Sequence, residues 1–481
     1  MFIIDLIRIL SALIAIVGTT MLFPVITALV CGEQDALLPF IVPMLLSWLL
    51  FGVVALAFKK RKINLKIRTT FIVVACAWIF TSLFGMIPFY AGGYITHFTD
   101  AVFESVSGFS TTGCTILNDT EALPTCINLW RCQTHWLGGM GIVALTVALL
   151  PLLGVGGFQL IKAETTGPEK GKVTAKITTT AKILWIIYVV MTALEALLLI
   201  LCGMNVADAV MHAFSTLGTG GVSSLNASVG GFNSPAVNVI ITVFMVLAGI
   251  NFSLYYYAFT GKLRDIRENS EVKAYLGIFA VCSLATALFI RPIYGSFGEA
   301  IQQATFQVAA IFTTTGFATA DYSLWPSTAQ LFIFALFFIG GSSGSTSGGI
   351  KVVRWVILFK QVNNETKKML HPHGVFSIRL NNNPGRKDVV FNVAAFIVVY
   401  LFIVLITTFV GCIGRLDMWS AFTGALSMVG NIGPAFGKLA PSFNYSFLPD
   451  FVKWWYCFAM LAGRLELYTM IIFFLPAYWK K

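Results

Sequence analysis

The sequence predicts an all-α polytopic membrane protein: two N-terminal transmembrane helices, then four helix–pore-loop–helix repeats in a pseudo-fourfold arrangement around a central pore. Three observations predict it. Of 481 residues, 57% are hydrophobic and only 11% charged, against about 25% charged in a soluble domain. Ten apolar runs are long enough for a bilayer, which asks for about 20 residues each. Four stretches between those runs repeat one another without a gap.

The runs fall at 5–30, 37–58, 69–90, 127–152, 178–203, 235–260, 272–291, 327–360, 388–412 and 448–477. The first, beginning MFIIDLIRIL, has no basic segment ahead of its apolar core and no small-residue cleavage site, so it is expected to be a retained span and not a signal peptide. Basic residues set the orientation. With the N-terminus inside, the inner stretches hold Lys59, Lys60, Arg61, Lys62, Lys66 and Arg68, then Lys162, Lys170, Lys172, Lys176 and Lys182. They continue with Lys262, Arg264, Arg267 and Lys273, then Lys351, Arg354, Lys360, Lys367, Lys368, Arg379, Arg386 and Lys387. With Arg8, Lys480 and Lys481 these are 26 of the 32 basic residues; Arg131, Arg291, Arg415, Lys438, Lys453 and Arg464 are the others. The bias puts both termini in the cytoplasm. It also accounts for the net charge of +11 through basic loops, with no nucleic-acid partner. Nine cysteines lack CxxC spacing, which argues against zinc or redox chemistry; they are expected to be small buried apolar residues.

After the third, fifth, seventh and ninth runs lies an extra outer stretch too short or too Gly-rich to cross. Such re-entrant backbone is tolerated only inside protein or along water. The four stretches read DAVFESVSGFSTTG (100–113), DAVMHAFSTLGTGG (208–221), QATFQVAAIFTTTG (303–316) and SAFTGALSMVGNIG (420–433). Ala stands second and Gly last in each. The final three residues are Thr111, Thr112 and Gly113; Thr219, Gly220 and Gly221; Thr314, Thr315 and Gly316; and Asn431, Ile432 and Gly433. A cation filter asks for this composition. A dehydrated ion needs replacement oxygens, and rings of backbone carbonyls supply them. Glycine gives the backbone the freedom to aim carbonyls at one axis, and a short helix before the loop points its negative end there. The fifth positions, Glu104, His212, Gln307 and Gly424, either tune that field or hydrogen-bond each short helix to its neighbours, and the second role is favoured.

Residues 340–349 read GGSSGSTSGG. Five glycines, each costing about 1 kcal/mol against alanine in a helix, predict that the second helix of the third repeat is interrupted. The segment either lines the ion path or makes a close helix crossing of the small-residue kind. Arg464 lies near the middle of the last run, where an arginine costs roughly 2.5–3.5 kcal/mol. It must face an aqueous cavity or a carboxylate, and Glu104 and Glu195 are the candidate partners. Glu195, mid-span, is either functional or paired. His371 and His373 are two metal-type ligands, which is too few for a site, and GVGG at 154–157 lacks the rest of a dinucleotide fingerprint. No HExxH, Walker A or strand-borne GxSxG supports an enzyme. All four repeats run in one direction, which argues against a transporter of inverted repeats.

At FESVSGFSTTG, GSSGSTSGGIK and AGRLELYT the chain resembles the bacterial Trk-type potassium uptake proteins of the Trk/Ktr/HKT superfamily, over essentially its whole length. The two extra spans at the start resemble the Trk branch more than the shorter Ktr branch. The resemblance implies potassium selectivity when all four filter glycines are present, as here; in some plant relatives the first is Ser and sodium passes. It implies K+ ions held by the twelve residues just named, with no organic cofactor on this chain. It implies an intramembrane gate around Gly340, Gly341, Gly344, Gly348 and Gly349, and an electrostatic barrier at Arg464 beneath the filter. Lys351 and Arg354, directly after the gate, are candidates for transmitting regulation. It further implies a homodimer in the bacterial inner membrane, controlled by a separate cytoplasmic subunit that binds NAD or ATP. The fourth loop departs from the pattern at Asn431 and Pro434, which makes the filter asymmetric. The expected organisation is 1–60 for the N-terminal pair, then repeats at 61–165, 166–265, 266–375 and 376–481. Passive flow and proton-coupled symport both remain open.

Overall fold

The computed structural model describes residues 2–59, 67–141, 177–374, 376–380, 383–384 and 387–480. Lys60, Arg61, Lys62, Lys66, Lys162, Lys170, Lys172, Lys176, Arg386, Lys481, the GVGG sequence and the far end of the 127–152 run lie outside them. The described residues are almost wholly helical. One pair of two-residue strands, Arg379–Leu380 and Asn383–Pro384, is the departure from an all-α chain.

Phe2–Thr20 with Leu22–Cys31, and then Leu37–Ala57, form the N-terminal hairpin. It packs on the first repeat: Phe2–Thr20 lies against Ile67–Gly85, and Leu22–Cys31 against Thr125–Gly139. Helix Thr125–Gly139 has no side-chain cap of its own. Glu33, at the hairpin turn, accepts from the amides of Thr125 (2.6 Å) and Cys126 (3.0 Å) instead. A carboxylate there satisfies free amides and meets the positive helix end.

Each repeat has a first helix, a short helix and a second helix. The first helices are Ile67–Gly85, Ile177–Leu201, Ser270–Ile290 and Lys387–Ile413. The short helices are Phe98–Phe109, Val206–Leu217, Phe297–Phe312 and Met418–Gly430, much too short to cross a bilayer. Three start at a side-chain cap: Asn205 accepts from the Asp208 amide, Ser296 from Glu299 and Asp417 from Ser420. Helix Lys387–Ile413 shows how sequence becomes placement. Val398, Leu401, Phe402, Leu405 and Phe409 form an exposed apolar stripe, whereas Phe396, Tyr400, Ile403, Val404 and Thr407 are buried against the protein. An exposed stripe at this spacing is the face a lipid covers. Cysteines divide likewise: Cys114, Cys126, Cys132 and Cys457 are buried, but Cys31, Cys202 and Cys412 are exposed, contrary to the expectation that all are buried.

The repeats close into a ring. Second helices of repeats one, two and four pack on the short helix of the next repeat, the fourth returning to the first. Between repeats three and four, Phe334 packs on Trp419 and Phe422. Four seams in the chain that leaves each loop repeat the order. The Thr120 amide donates to Asn226 Oδ1 (2.7 Å) and the Gly230 amide to the Ala318 carbonyl (3.1 Å). Tyr322 Oη donates to the Ala435 carbonyl (2.7 Å), and the Tyr445 amide to the Thr115 carbonyl (2.9 Å).

One expectation needs correcting. The first two runs and the first helix of every repeat are long spans, but the second helices of repeats two and four are broken as well as that of repeat three, and that of repeat one ends early among the described residues. In repeat one the helix ends at Gly139 and Gly141 has φ 70°. In repeat two Pro235–Ala248 and Phe252–Phe259 meet at 93°. In repeat three no helix covers 337–351. In repeat four Asp450–Arg464 and Tyr468–Phe474 meet at 118°.

Candidate functional site

The short helices converge on the four Thr/Asn–X–Gly loops. Each helix ends the same way. The amide of Thr112 donates to the Ser107 carbonyl (2.9 Å), Gly220 to Ser215 (2.8 Å), Thr315 to Ala310 (2.8 Å) and Ile432 to Ser427 (3.0 Å). The residue just before each of these four is left-handed: Thr111 (φ 58°), Thr219 (54°), Thr314 (56°) and Asn431 (53°). This is the Schellman ending, with threonine where glycine is the usual choice. A β-branched residue at positive φ is an outlier, and such strain costs about 1–3 kcal/mol per residue. Asn tolerates the left-handed region more readily, so Asn431 keeps the shared backbone instead of breaking it. The last residues, Gly113, Gly221, Gly316 and Gly433, have φ between 70° and 101°.

These glycines abut in cyclic order. A Cβ on Gly113 would lie 2.0 Å from the Gly220 carbonyl oxygen, and one on Gly221 2.0 Å from that of Thr315. On Gly316 it would lie 2.3 Å from the Ile432 oxygen, and on Gly433 2.6 Å from that of Thr112. Each loop therefore turns its glycine to the carbonyl edge of the next, and the fourth meets the first. Alternating the sign of φ along a loop lets consecutive carbonyls share one side, the arrangement a dehydrated cation requires. The fourth loop differs in one respect. The Gly433 carbonyl accepts from Ser427 Oγ (2.8 Å), Tyr445 Oη (2.8 Å) and Cys114 Sγ (3.3 Å), so its oxygen is engaged by protein.

The fifth-position side chains tie each short helix to the chain leaving its loop. Glu104 accepts from Thr115 Oγ1 (3.0 Å), the Ile116 amide (3.1 Å) and Arg131 Nε (2.9 Å). His212 Nε2 bonds Ser223 Oγ (2.9 Å), the equivalent position to Thr115. Gln307 Nε2 donates to the Ala320 carbonyl (3.0 Å). Gly424 leaves room for Leu439, whose Cδ1 would be 2.6 Å from an added Cβ. The hydrogen-bonding role is the one these groups fill.

Directly against the loops lies the 340–349 segment. It is buried except at Gly344, Ser345 and Gly349, and the Gly348 amide donates to Thr314 Oγ1 (2.6 Å). A Cβ on Gly348 would lie 2.3 Å from the Gly430 carbonyl oxygen, so this glycine permits the close approach. The segment interlocks with the break of repeat two: the Ser342 amide donates to the Gly249 carbonyl (2.8 Å) and the Phe252 amide to that of Gly344 (3.1 Å). Its ends are joined by the Gly340 amide on the Ile350 carbonyl (2.8 Å) and the Val352 amide on that of Gly341 (3.2 Å). Glu271, at the start of the third repeat's first helix, accepts from the amides of Ser343 (2.7 Å) and Val353 (3.3 Å). Sequence reasoning missed this carboxylate, because nothing near it in the chain marks it.

Arg464 is not mid-helix, as expected, but the last residue before the repeat-four break. Neither proposed carboxylate partner holds it. Glu104 is taken by Arg131, and neither oxygen of Glu195 has a hydrogen-bond partner among the described residues. Instead the guanidinium donates to the carbonyls of Thr346 (2.7 Å), Gly138 (2.7 Å) and Gly139 (2.8 Å). A cation there caps the truncated helix of repeat one and clasps the 340–349 segment. Lys351 donates to the Ser347 carbonyl, and Arg354 pairs with Glu466 (2.8 Å) with its guanidinium 3.7 Å from the Phe396 ring centroid. Both cations are buried, although they were counted among the cytoplasmic ones.

The arrangement defines a class: a membrane-spanning helical protein whose four re-entrant loops close one ring. Within that class the chain belongs to the TrkH family of cation transport proteins, whose model matches residues 40–293 and 278–481. It is 35% identical to the Trk system potassium uptake protein TrkH of Escherichia coli K12, over 98% of this chain and 99% of that one. It is 33% identical to the Trk system potassium uptake protein TrkI of Halomonas elongata, over 99% and 97%. The crystal structure of the potassium transporter TrkH from Vibrio parahaemolyticus superposes with a TM-score of 0.87, at 33% identity, over the full length of both chains.

Proposed function

We propose that this chain takes up potassium across the bacterial inner membrane through a filter built from its four Thr/Asn–X–Gly loops. The observation that carries the reading is the cyclic abutment of Gly113, Gly221, Gly316 and Gly433 on their neighbours' carbonyls. K+ is the cargo, bound by the carbonyls and threonine hydroxyls of the loops, with Gly433 serving conformation more than ligation. Segment 340–349 is the gate, and Arg464 is both its clasp and a positive barrier in the path. The repeats at 61–165, 166–265, 266–375 and 376–481 are the four quarters of the pore, preceded by the hairpin at 1–60. Both termini are cytoplasmic, two copies form a homodimer, and a cytoplasmic nucleotide-binding subunit controls opening. The names of the relatives support the potassium assignment, and the positive-inside bias supports the orientation.

The test is ion flux into liposomes holding the full chain, under K+, Na+, Rb+ and pH gradients. Gly113→Ser sets a side chain against the Gly220 carbonyl, and preference for K+ over Na+ is expected to fall by about tenfold or more. Unchanged selectivity in that variant removes the filter. A pH gradient that drives K+ uphill establishes symport; its failure to do so leaves passive flow.

A further inference from the structure

The second loop lacks side chains that the others use. Two positions before the closing-pair residues, the loops carry Ser110, Gly218, Thr313 and Gly430; in the penultimate position they carry Thr112, Gly220, Thr315 and Ile432. In repeat one the Ser110 and Thr112 hydroxyls bond each other at 2.7 Å, and in repeat three Thr313 and Thr315 do so at 2.7 Å. In repeat four Ile432 folds back over Gly430, its Cδ1 3.2 Å from where a Cβ would stand. Every one of these three loops fills the space behind it with its own side chains. Loop two has glycine at both positions.

His135 fills that space. It comes from the preceding repeat, one residue after Thr134, which packs on Gly108 of its own short helix. A Cβ on Gly220 would lie 1.6 Å from His135 Nδ1 and 2.2 Å from its Cγ, and one on Gly218 2.6 Å from the His135 carbonyl oxygen. The ring is 1% exposed, and Nδ1 has no hydrogen-bond partner among the described residues. A buried ring nitrogen without a partner costs free energy, so what the imidazole supplies here is volume. Close-packed interiors transmit such a contact to the backbone they touch.

We propose that His135 is a positioning residue for selectivity: its imidazole replaces the missing side chains of loop two and fixes the Thr219–Gly221 backbone at the spacing of the other three. The proposal rests on the filter reading above. Its logic is reciprocal: glycine is required at 220 because histidine stands at 135, and the reverse.

The experiment measures K+ and Na+ flux in liposomes for H135A, G220T, the double variant H135A/G220T and, as a control on the filter itself, G113S. H135A is expected to lower K+ over Na+ preference about tenfold. G220T is expected to lose uptake, and the double variant to regain at least about tenfold over G220T, because removal of the ring makes room for the threonine. A purely local packing role for each residue gives no such recovery. If G113S loses selectivity while H135A keeps it and the double variant is as inactive as G220T, His135 has no positioning role. If G113S keeps selectivity, the filter reading falls first and the two failures are told apart. Should H135A fail to reach the membrane, the recovery in H135A/G220T decides alone.

Discussion

The four loops and the four breaks beside them solve different problems with the same repeats. The loops share one backbone: the same helix ending, the same left-handed residue and the same closing glycine, although side chains vary from Thr112 to Gly220 to Ile432. The breaks share only their place. Repeat one stops at Gly139, repeat two turns at Gly249–Asn251, repeat three opens a long segment, and repeat four turns through Glu466 and Leu467 at φ 54° and 58°. Where the four loops meet, the chain repeats itself. Around the 340–349 segment each quarter contributes a different part: a capped helix end, a docking carbonyl, the segment itself and the arginine that clasps it.

That contrast can be broken from the side of the 340–349 segment. Excising Gly344–Thr346 removes the Phe252 amide's acceptor and the Thr346 carbonyl that Arg464 holds. Leak flux is expected to rise by about tenfold or more, with K+ over Na+ preference kept; a silent excision removes the gate. Arg464→Ala strips three carbonyls of their donor and removes the proposed positive barrier, so flux should rise about threefold to tenfold. Misfolding without any gain in flux would instead make the arginine purely a helix cap. Glu271→Ala leaves the Ser343 and Val353 amides without their acceptor, a loss of about 1–3 kcal/mol. It should raise leak less than the excision, read in the same flux measurement.

The smallest effect belongs to the start of the fourth short helix. Asp417 caps the fourth short helix, and the backbone hydrogen bond from Ser420 holds its carboxyl below the usual range, against the opposing effect of burial. Asp417→Ala should cost about 1 kcal/mol. The sign follows from the lowered value: the cap is fully present above the carboxylate's ordinary pKa and is lost as pH falls through the depressed one. Thermal unfolding in detergent at neutral and acidic pH checks this. The variant's deficit should shrink in acid, while Arg464→Ala should show no such trend.

The loops were legible because their signal is local: Thr and Gly recur at fixed offsets from an Ala in four gapless stretches. The 340–349 segment was legible for the same reason, as a run too rich in glycine to stay helical. The breaks of repeats two and four were not, because AGIN and AGRLEL carry no run of helix breakers. A faint signal existed: Leu137-Gly138-Gly139, Leu247-Ala248-Gly249, Ile339-Gly340-Gly341 and Leu461-Ala462-Gly463 stand at or just past the point where the second helices end. Its meaning is tertiary. A Cβ on Gly138 would lie 1.9 Å from the Phe109 carbonyl oxygen, and one on Gly463 2.1 Å from that of Val429, so these glycines let a second helix press on the end of its own repeat's short helix.

By itself the sequence determined the membrane class, the presence of four repeats, and which residues form the loops and the glycine-rich segment. These follow from hydropathy, charge bias and local backbone preference, each readable within a few residues. Only the tertiary structure decided what Arg464, Glu271 and His135 touch. The partners of Arg464 and His135 lie on other repeats, and those of Glu271 lie far along its own repeat; a partner that distant leaves no trace in a side chain's neighbours along the chain.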